Sequence, residues 1–196
     1  PLYSVLCHFC IAMPTISVAK TPFLKAIDWV NATDENIRTL CFDFGIELDD
    51  IVDPKEERCA AALMGGERTA QDAPAVVYDD NDLIYKIDIP ANRYDLLCFE
   101  GIVQAFRVFL QKSPSPEYIL SSPETRQRLV VDKSTAAIRP FAFAAVLRDV
   151  KFTPESFRSF IDLQDKLHQN IGRKRTLVAI GTHDLSTIQG PFTYNA

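Results

Sequence analysis

Apolar residues along the first half of the chain switch repeatedly between a two-residue and a three-to-four-residue spacing, the pattern of a mixed strand-and-helix domain. The β-branched run at 15–18 predicts a strand. Thr21-Pro22 then offers a helix cap with proline at the first helical position, and Phe23, Leu24, Ile27 and Val30 follow at helical spacing. A second helix is expected from Thr33, whose hydroxyl precedes Asp34 and Glu35 at the positive end of the helix dipole. Ile37, Leu40, Cys41 and Phe44 give it an apolar stripe, and Gly45 stops it. Residues 46–51 alternate apolar and acidic as a half-exposed strand does, and 83–89 form a second strand that Pro90 ends. Between them, from about 52 to 80, periodicity disappears and Pro54, Gly65-Gly66 and Pro74 mark a loop. Residues 95–110 read as a substantially buried helix.

The stretch 113–123, with three prolines and four serines, reads as a linker. Beyond it the pattern predicts strands at 128–132, 141–150 and 176–180. The middle one, FAFAAVLRDV, is too continuously apolar for an edge and belongs inside a sheet, with partners that this chain does not fully supply. A helix opens at Thr153-Pro154, with Phe157, Phe160, Ile161, Leu163, Leu167 and Ile171 as its buried face. The fold class is therefore α+β. A small amino-terminal domain at 13–112 precedes a second, larger domain of α/β type that begins near 124 and is still open at Ala196. No internal repeat of fixed period is present.

Charge narrows the function classes. With 21 Lys and Arg against 26 Asp and Glu, the net charge of −5 argues against an unaided electrostatic grip on nucleic acid, though not against a local basic patch. No stretch reads as a membrane span. Residues 1–12 read as an extension ahead of Met13. Cys7, Cys10, Cys41, Cys59 and Cys98 are an odd, scattered set of thiols for a reducing compartment. The lone pair Cys7 and Cys10 lacks the second pair of a zinc site, and Cys41 and Cys98 read as small core residues. There is no GxxxxGK[ST] loop, HExxH or GxSxG, so no free-standing catalytic centre and no metal site is expected.

Three clusters carry candidate chemistry. Asn92, Arg93 and Asp95 sit where a strand turns into a helix. Asn92 or Asp95 suits a cap, and Arg93 either binds an anion or pairs with a carboxylate of its own turn. Lys166, His168, Arg173, Lys174 and Arg175 form the clear basic cluster, a solvated face or a phosphate contact, with His168 on the polar side of its helix. Thr182, His183 and Asp184 follow an apolar run and either line a cleft or satisfy turn backbone groups. Asp43, Glu47, Asp49, Asp50 and Asp53, in an acidic strip from Asp28 to Glu57, follow exposure patterns and read as a solubilising or subunit-facing surface.

MPTISV at Met13, LCFDFGIELDDI at Leu40, IDIPANRYDLLCFEG at Ile87, IRPFAFAAVLRDVKF at Ile138, FIDLQDKLHQNIGRKRTLVAIGTHDL at Phe160 and GPFTY at Gly190 together resemble the beta subunit of archaeal and eukaryotic phenylalanine–tRNA ligases. The resemblance implies a cytoplasmic alpha2-beta2 heterotetramer whose alpha subunit holds the class II aminoacylation site, with ATP and Mg²⁺ used there. It also implies a beta subunit that contacts tRNA and hydrolyses tyrosine mischarged onto it. By that resemblance residues 13–112 are the first domain and residues from about 124 begin a B3/B4-like editing domain. Thr182, His183 and Asp184 then lie near the editing pocket and Arg173, Lys174 and Arg175 near tRNA phosphates. The piece itself is expected to be non-catalytic. The alternative is a stand-alone protein- or nucleic-acid-binding module, which the acidic first domain disfavours.

Overall fold

The structure is a computed structural model describing residues 14–55, 82–120 and 122–195. The expectations for 1–12, for Cys7, Cys10, Cys59 and Glu57, and for most of the loop at 52–80 lie outside the described residues. The architecture is α+β, with four helices and two sheets among the described residues. Two compact units are present, Pro1–Ser115 with Thr153–Ala179, and Pro116–Phe152 with Ile180–Ala196.

The first unit is built on three antiparallel strands, β1 (Thr15–Ala19), β2 (Glu47–Val52) and β3 (Ile84–Asp88), in the order β1-β3-β2. The middle strand carries the burial: Ile84, Tyr85 and Ile87 are all fully covered. Against it β2 slips register between Leu48 and Asp50, so the extra residue, Asp49, is bulged out. The bulge explains how Leu48 and Ile51, three apart, face Ile87 and Tyr85, which are two apart.

Helix α1 (Lys20–Ala26) starts two residues earlier than Thr21-Pro22 implied, with Ala19 as its N-cap and no side-chain cap from it. Its cap comes from far along the chain. The Asp82 carboxylate accepts from the Thr21 backbone N–H at 3.0 Å and from its hydroxyl at 2.8 Å. At the other end, Arg107 donates to the Ala26 carbonyl and Lys112 to those of Ile27 and Asp28, cations placed where the helix dipole is negative. Val30 lies past the helix and is exposed. Helix α2 (Asp34–Phe44) behaves as its sequence reads. Thr33 and Asn36 form a reciprocal capping box, and Gly45 takes φ 89°, a left-handed geometry that a Cβ would strain.

Helix α3 (Phe99–Phe109) begins four residues after Asp95, because Tyr94–Leu96 first make a 3₁₀ turn that buries Leu96. The turn lies so close to the helix that a Cβ on Gly101 would stand 2.0 Å from the Asp95 carbonyl oxygen. Helix α4 (Pro154–Gln169) opens with a Thr153–Ser156 capping box and proline in its first turn. Leu163 and Leu167 pack on the first unit's core, whereas Phe157 and Ile171, assigned to the buried face from their spacing, are substantially exposed.

The second unit holds a parallel pair, β4 (Leu129–Val131), within the strand expected at 128–132, and β5 (Phe192–Tyr194). The strands expected at 141–150 and 176–180 are absent. Phe141 and Phe143 are 81% and 95% exposed, because no ladder partner stands beside that run among the described residues, and apolar content alone does not make a sheet.

The Tyr85 hydroxyl donates to Asp34 at 2.6 Å from a fully buried ring, and Lys20 pairs with the same carboxylate at 2.6 Å. Replacing Tyr85 by Phe should cost about 1.5–3 kcal/mol in denaturant unfolding, the loss of a hydrogen bond to a charged group. Lys20 first and Tyr85 second hold the Asp34 carboxyl below its ordinary 3.8. Its contribution is therefore present above that value and is lost as pH falls through the lowered folded value, so Asp34→Asn should flatten the acid limb of stability against pH.

Candidate functional site

Pro90 ends β3, and the Arg93 N–H donates to the Pro90 carbonyl at 2.9 Å, closing the turn on which Asn92 is exposed. The Arg93 guanidinium then makes two parallel bonds to Asp95, Nε to Oδ1 at 2.9 Å and Nη2 to Oδ2 at 2.8 Å, and lies 5.4 Å from the Phe44 ring centre. The pair lowers the Asp95 carboxyl and raises the Arg93 guanidinium. Arg93 is thus matched by a carboxylate of its own turn. The capping expectation is corrected: α3 starts at Phe99 with Cys98 at the N-cap position and no side-chain cap, and the Asp95 carboxylate is taken by Arg93. Cys98 is half-buried there, while Cys41 is a core residue whose thiol burial pushes up to about 12.

The basic cluster is split by the fold. Arg173, Lys174 and Arg175 take φ values of 47°, 55° and 65°, three successive side-chain-bearing residues in the left-handed region. Backbone bonds from Arg175 N–H to the His168 carbonyl and from Leu177 N–H to the Gly172 carbonyl close this turn. A Cβ on Gly172 would come within 2.9 Å of the His168 and Val178 carbonyl oxygens, so only glycine fits the approach. His168, expected on the polar side of its helix, is 3% exposed. The turn folds back over it, and Arg175 Nε donates to His168 Nδ1 at 3.1 Å while Nη2 reaches Asp165 at 3.1 Å. Lys166 is half-buried, and burial lowers its ammonium against the opposing pull of Asp162. Arg173 and Lys174 remain exposed and form no ion pair among the described residues.

Thr182, His183 and Asp184 lie in the second unit on an exposed segment with no strand before it. Asp184 accepts from the Ser186 backbone N–H at 2.9 Å and hydroxyl at 2.8 Å, capping the turn Leu185–Thr187, and these bonds lower its carboxyl. Thr182 and His183 are exposed. A hollow of about 340 Å³ runs along α3, lined by Phe99, Val103 and Arg107 among others, and none of the sequence candidates lines it. Among the described residues no group of three or more His, Cys, Asp or Glu is placed to hold a metal ion. Sequence reasoning missed Asp82 as the cap of α1 and the pairing of His168 with Arg175. The first spans 61 residues, and the second depends on a left-handed turn that no glycine announces.

A family model described as the Phe-tRNA synthetase beta subunit B1 domain matches residues 13–112. The chain belongs to that family. The B1 match takes in every strand of the first sheet, α1 to α3 and the Arg93–Asp95 turn; Arg173–Arg175 and Thr182–Asp184 fall outside it. The chain is 51% identical over 184 residues to a phenylalanine–tRNA ligase beta subunit of Drosophila melanogaster, covering 94% of this chain and 30% of that protein. It is 50% identical over 185 residues to the Homo sapiens beta subunit, and 47% over 184 residues to that of Saccharomyces cerevisiae, each over 94% of this chain and 30% and 27% of theirs. The chain thus spans about 30% of the length of these relatives. A crystal structure of an N-terminal fragment of the phenylalanyl-tRNA synthetase beta subunit from Pyrococcus horikoshii shares the fold. Its TM-score is 0.70 at 24% identity, over 93% of this chain and 45% of that one.

The left-handed turn in this B1-family chain makes a separable prediction. Lys174→Gly should raise stability by about 1 kcal/mol, because glycine adopts its φ of 55° without steric cost. Chemical unfolding of the chain with and without the substitution measures it.

Proposed function

We propose that this chain is the amino-terminal region of a phenylalanine–tRNA ligase beta subunit, acting with an alpha subunit in an alpha2-beta2 complex that charges tRNA with phenylalanine in the cytoplasm. The observation that carries the reading is identity near 50% over 94% of the chain to beta subunits of insect, human and nematode. A relative in Arabidopsis thaliana, 50% identical, is named as the cytoplasmic beta subunit, and no helix among the described residues is long and apolar enough to cross a membrane. In this reading residues 13–112 form the first domain, 113–123 a linker, and residues from 124 begin the B3/B4-like editing domain. ATP and Mg²⁺ serve the alpha subunit's chemistry. The test is a chimera in which residues 13–196 replace the matching segment of the Drosophila beta subunit, co-expressed with its alpha subunit. Assembly and phenylalanylation should persist; a chimera that folds but does not bind alpha would overturn the reading.

Within that reading Thr182 and His183 face the editing substrate, while Asp184 holds their turn. An exposed imidazole is suited to relay a proton to or from an attacking water. Arg173 and Lys174 are the cations left over for tRNA phosphates, since Arg175 holds His168. His183→Ala in the chimera should slow deacylation of Tyr-tRNA about 100-fold and leave phenylalanylation unchanged. Unchanged hydrolysis removes His183 from the site. Replacing Arg173 and Lys174 by Ala should reduce the salt dependence of tRNA binding by about 0.7 in log–log slope for each phosphate that the variant no longer neutralises.

A further inference from the structure

Five Ser-Pro or Thr-Pro dipeptides occur in the sequence, and the structure divides them into two kinds. Thr21 sits in α1 with its hydroxyl on Asp82, and Thr153 caps α4 through Ser156. Their hydroxyls are committed and their backbones helical or capping. The other three, Ser113-Pro114, Ser115-Pro116 and Ser122-Pro123, fall in an eleven-residue stretch that joins α3 to β4 and contains no helix or strand among its described residues. Residues 114–120, 122 and 123 are exposed, up to 97% at Leu120, and take part in no hydrogen bond or ion pair among the described residues. Proline at 114, 116 and 123 keeps this backbone extended, because it supplies no N–H and disfavours a helical residue before it.

We infer that Ser115 and Ser122 are phosphorylation sites for a proline-directed serine kinase. A kinase cleft binds its substrate as an extended strand free of internal hydrogen bonds, and this class selects a residue without a backbone N–H immediately after the acceptor serine. Both requirements are met at Ser115 and Ser122. Ser113 meets them less well: it is half-buried, its N–H is donated to the Arg107 carbonyl at 3.2 Å, and its side chain borders the hollow on α3. In the transfer, serine Oγ forms a bond to the γ-phosphorus of a nucleoside triphosphate, and the bond from that phosphorus to the bridging oxygen breaks. The nucleoside diphosphate leaves, and the hydroxyl proton passes to the kinase's base. Each event adds about −1.5 to −2 charge to a chain already at −5.

The experiment treats the purified full chain with a proline-directed serine kinase and labelled ATP, natively and after heat denaturation, and maps phosphate by peptide mass spectrometry. The native chain should carry phosphate at Ser115 and Ser122, with Ser113 slower and Thr21 and Thr153 silent. The threonines should become acceptors only after denaturation. The double variant S115A/S122A, whose exposed positions leave folding intact, should lose most native incorporation. Incorporation only after denaturation would overturn the inference, as would native incorporation that survives the double variant. So would phosphate at neither serine in either form. None of these outcomes depends on the ligase reading.

Discussion

The first unit hangs on one buried phenol. Tyr85 sits in the middle of the sheet with its ring sealed from water, so its hydroxyl must find a partner inside the fold or lose the hydrogen bond it had in solvent. That partner is Asp34, the first residue of α2, which Lys20 at the start of α1 also binds. One carboxylate therefore fixes the central strand against the amino-terminal ends of two helices at once. Burial first, and the Asp34 carboxylate second, push the Tyr85 phenol above its ordinary range, so it remains a donor throughout the pH range of a folded protein. The same ring meets Phe23 edge-on at 6.2 Å, and Phe23 meets Phe106 of α3 at 5.8 Å, which carries the constraint to the third helix.

Around that anchor, much of the first unit was readable because local signals agreed with tertiary packing. Alternation placed β2, a Thr cap and a Gly stop bounded α2, and the apolar stripe Ile37, Leu40 and Cys41 is the face that is buried. What could not be read involved distant partners. Nothing near Thr21 announces that its helix is capped by Asp82, 61 residues away. Beyond the linker, continuous apolar runs at 141–150 and 176–180 looked like interior strands, since hydrophobic content reports burial potential and not pairing. Of the two strands that do form there, β4 falls within the run expected at 128–132, whereas β5 follows no such run.

The candidate site residues divide along the same line. The Arg93–Asp95 pair was foreseeable because both residues belong to one turn. The fate of the basic cluster was not, because it depends on three residues adopting positive φ without a glycine among them. That geometry turns Arg175 back onto His168 and Asp165 while leaving Arg173 and Lys174 outside. A run of like charges thus becomes two populations, one holding structure and the other facing water.

Strain of this kind persists only where surrounding contacts over-determine it. Here the contacts are the bonds of Arg175 to His168 and Asp165 and the backbone closures onto α4. The bonds of Arg175 all return to the last two turns of α4, whose Leu163 and Leu167 pack on the first unit's core. The cost of three left-handed residues is therefore offset by groups anchored on that helix. The anchored turn carries Arg173 and Lys174, both exposed, on a backbone held at positive φ. The strain is thus confined to a turn that its neighbours hold in place, which is why relieving it with glycine at 174 is expected to stabilise the chain.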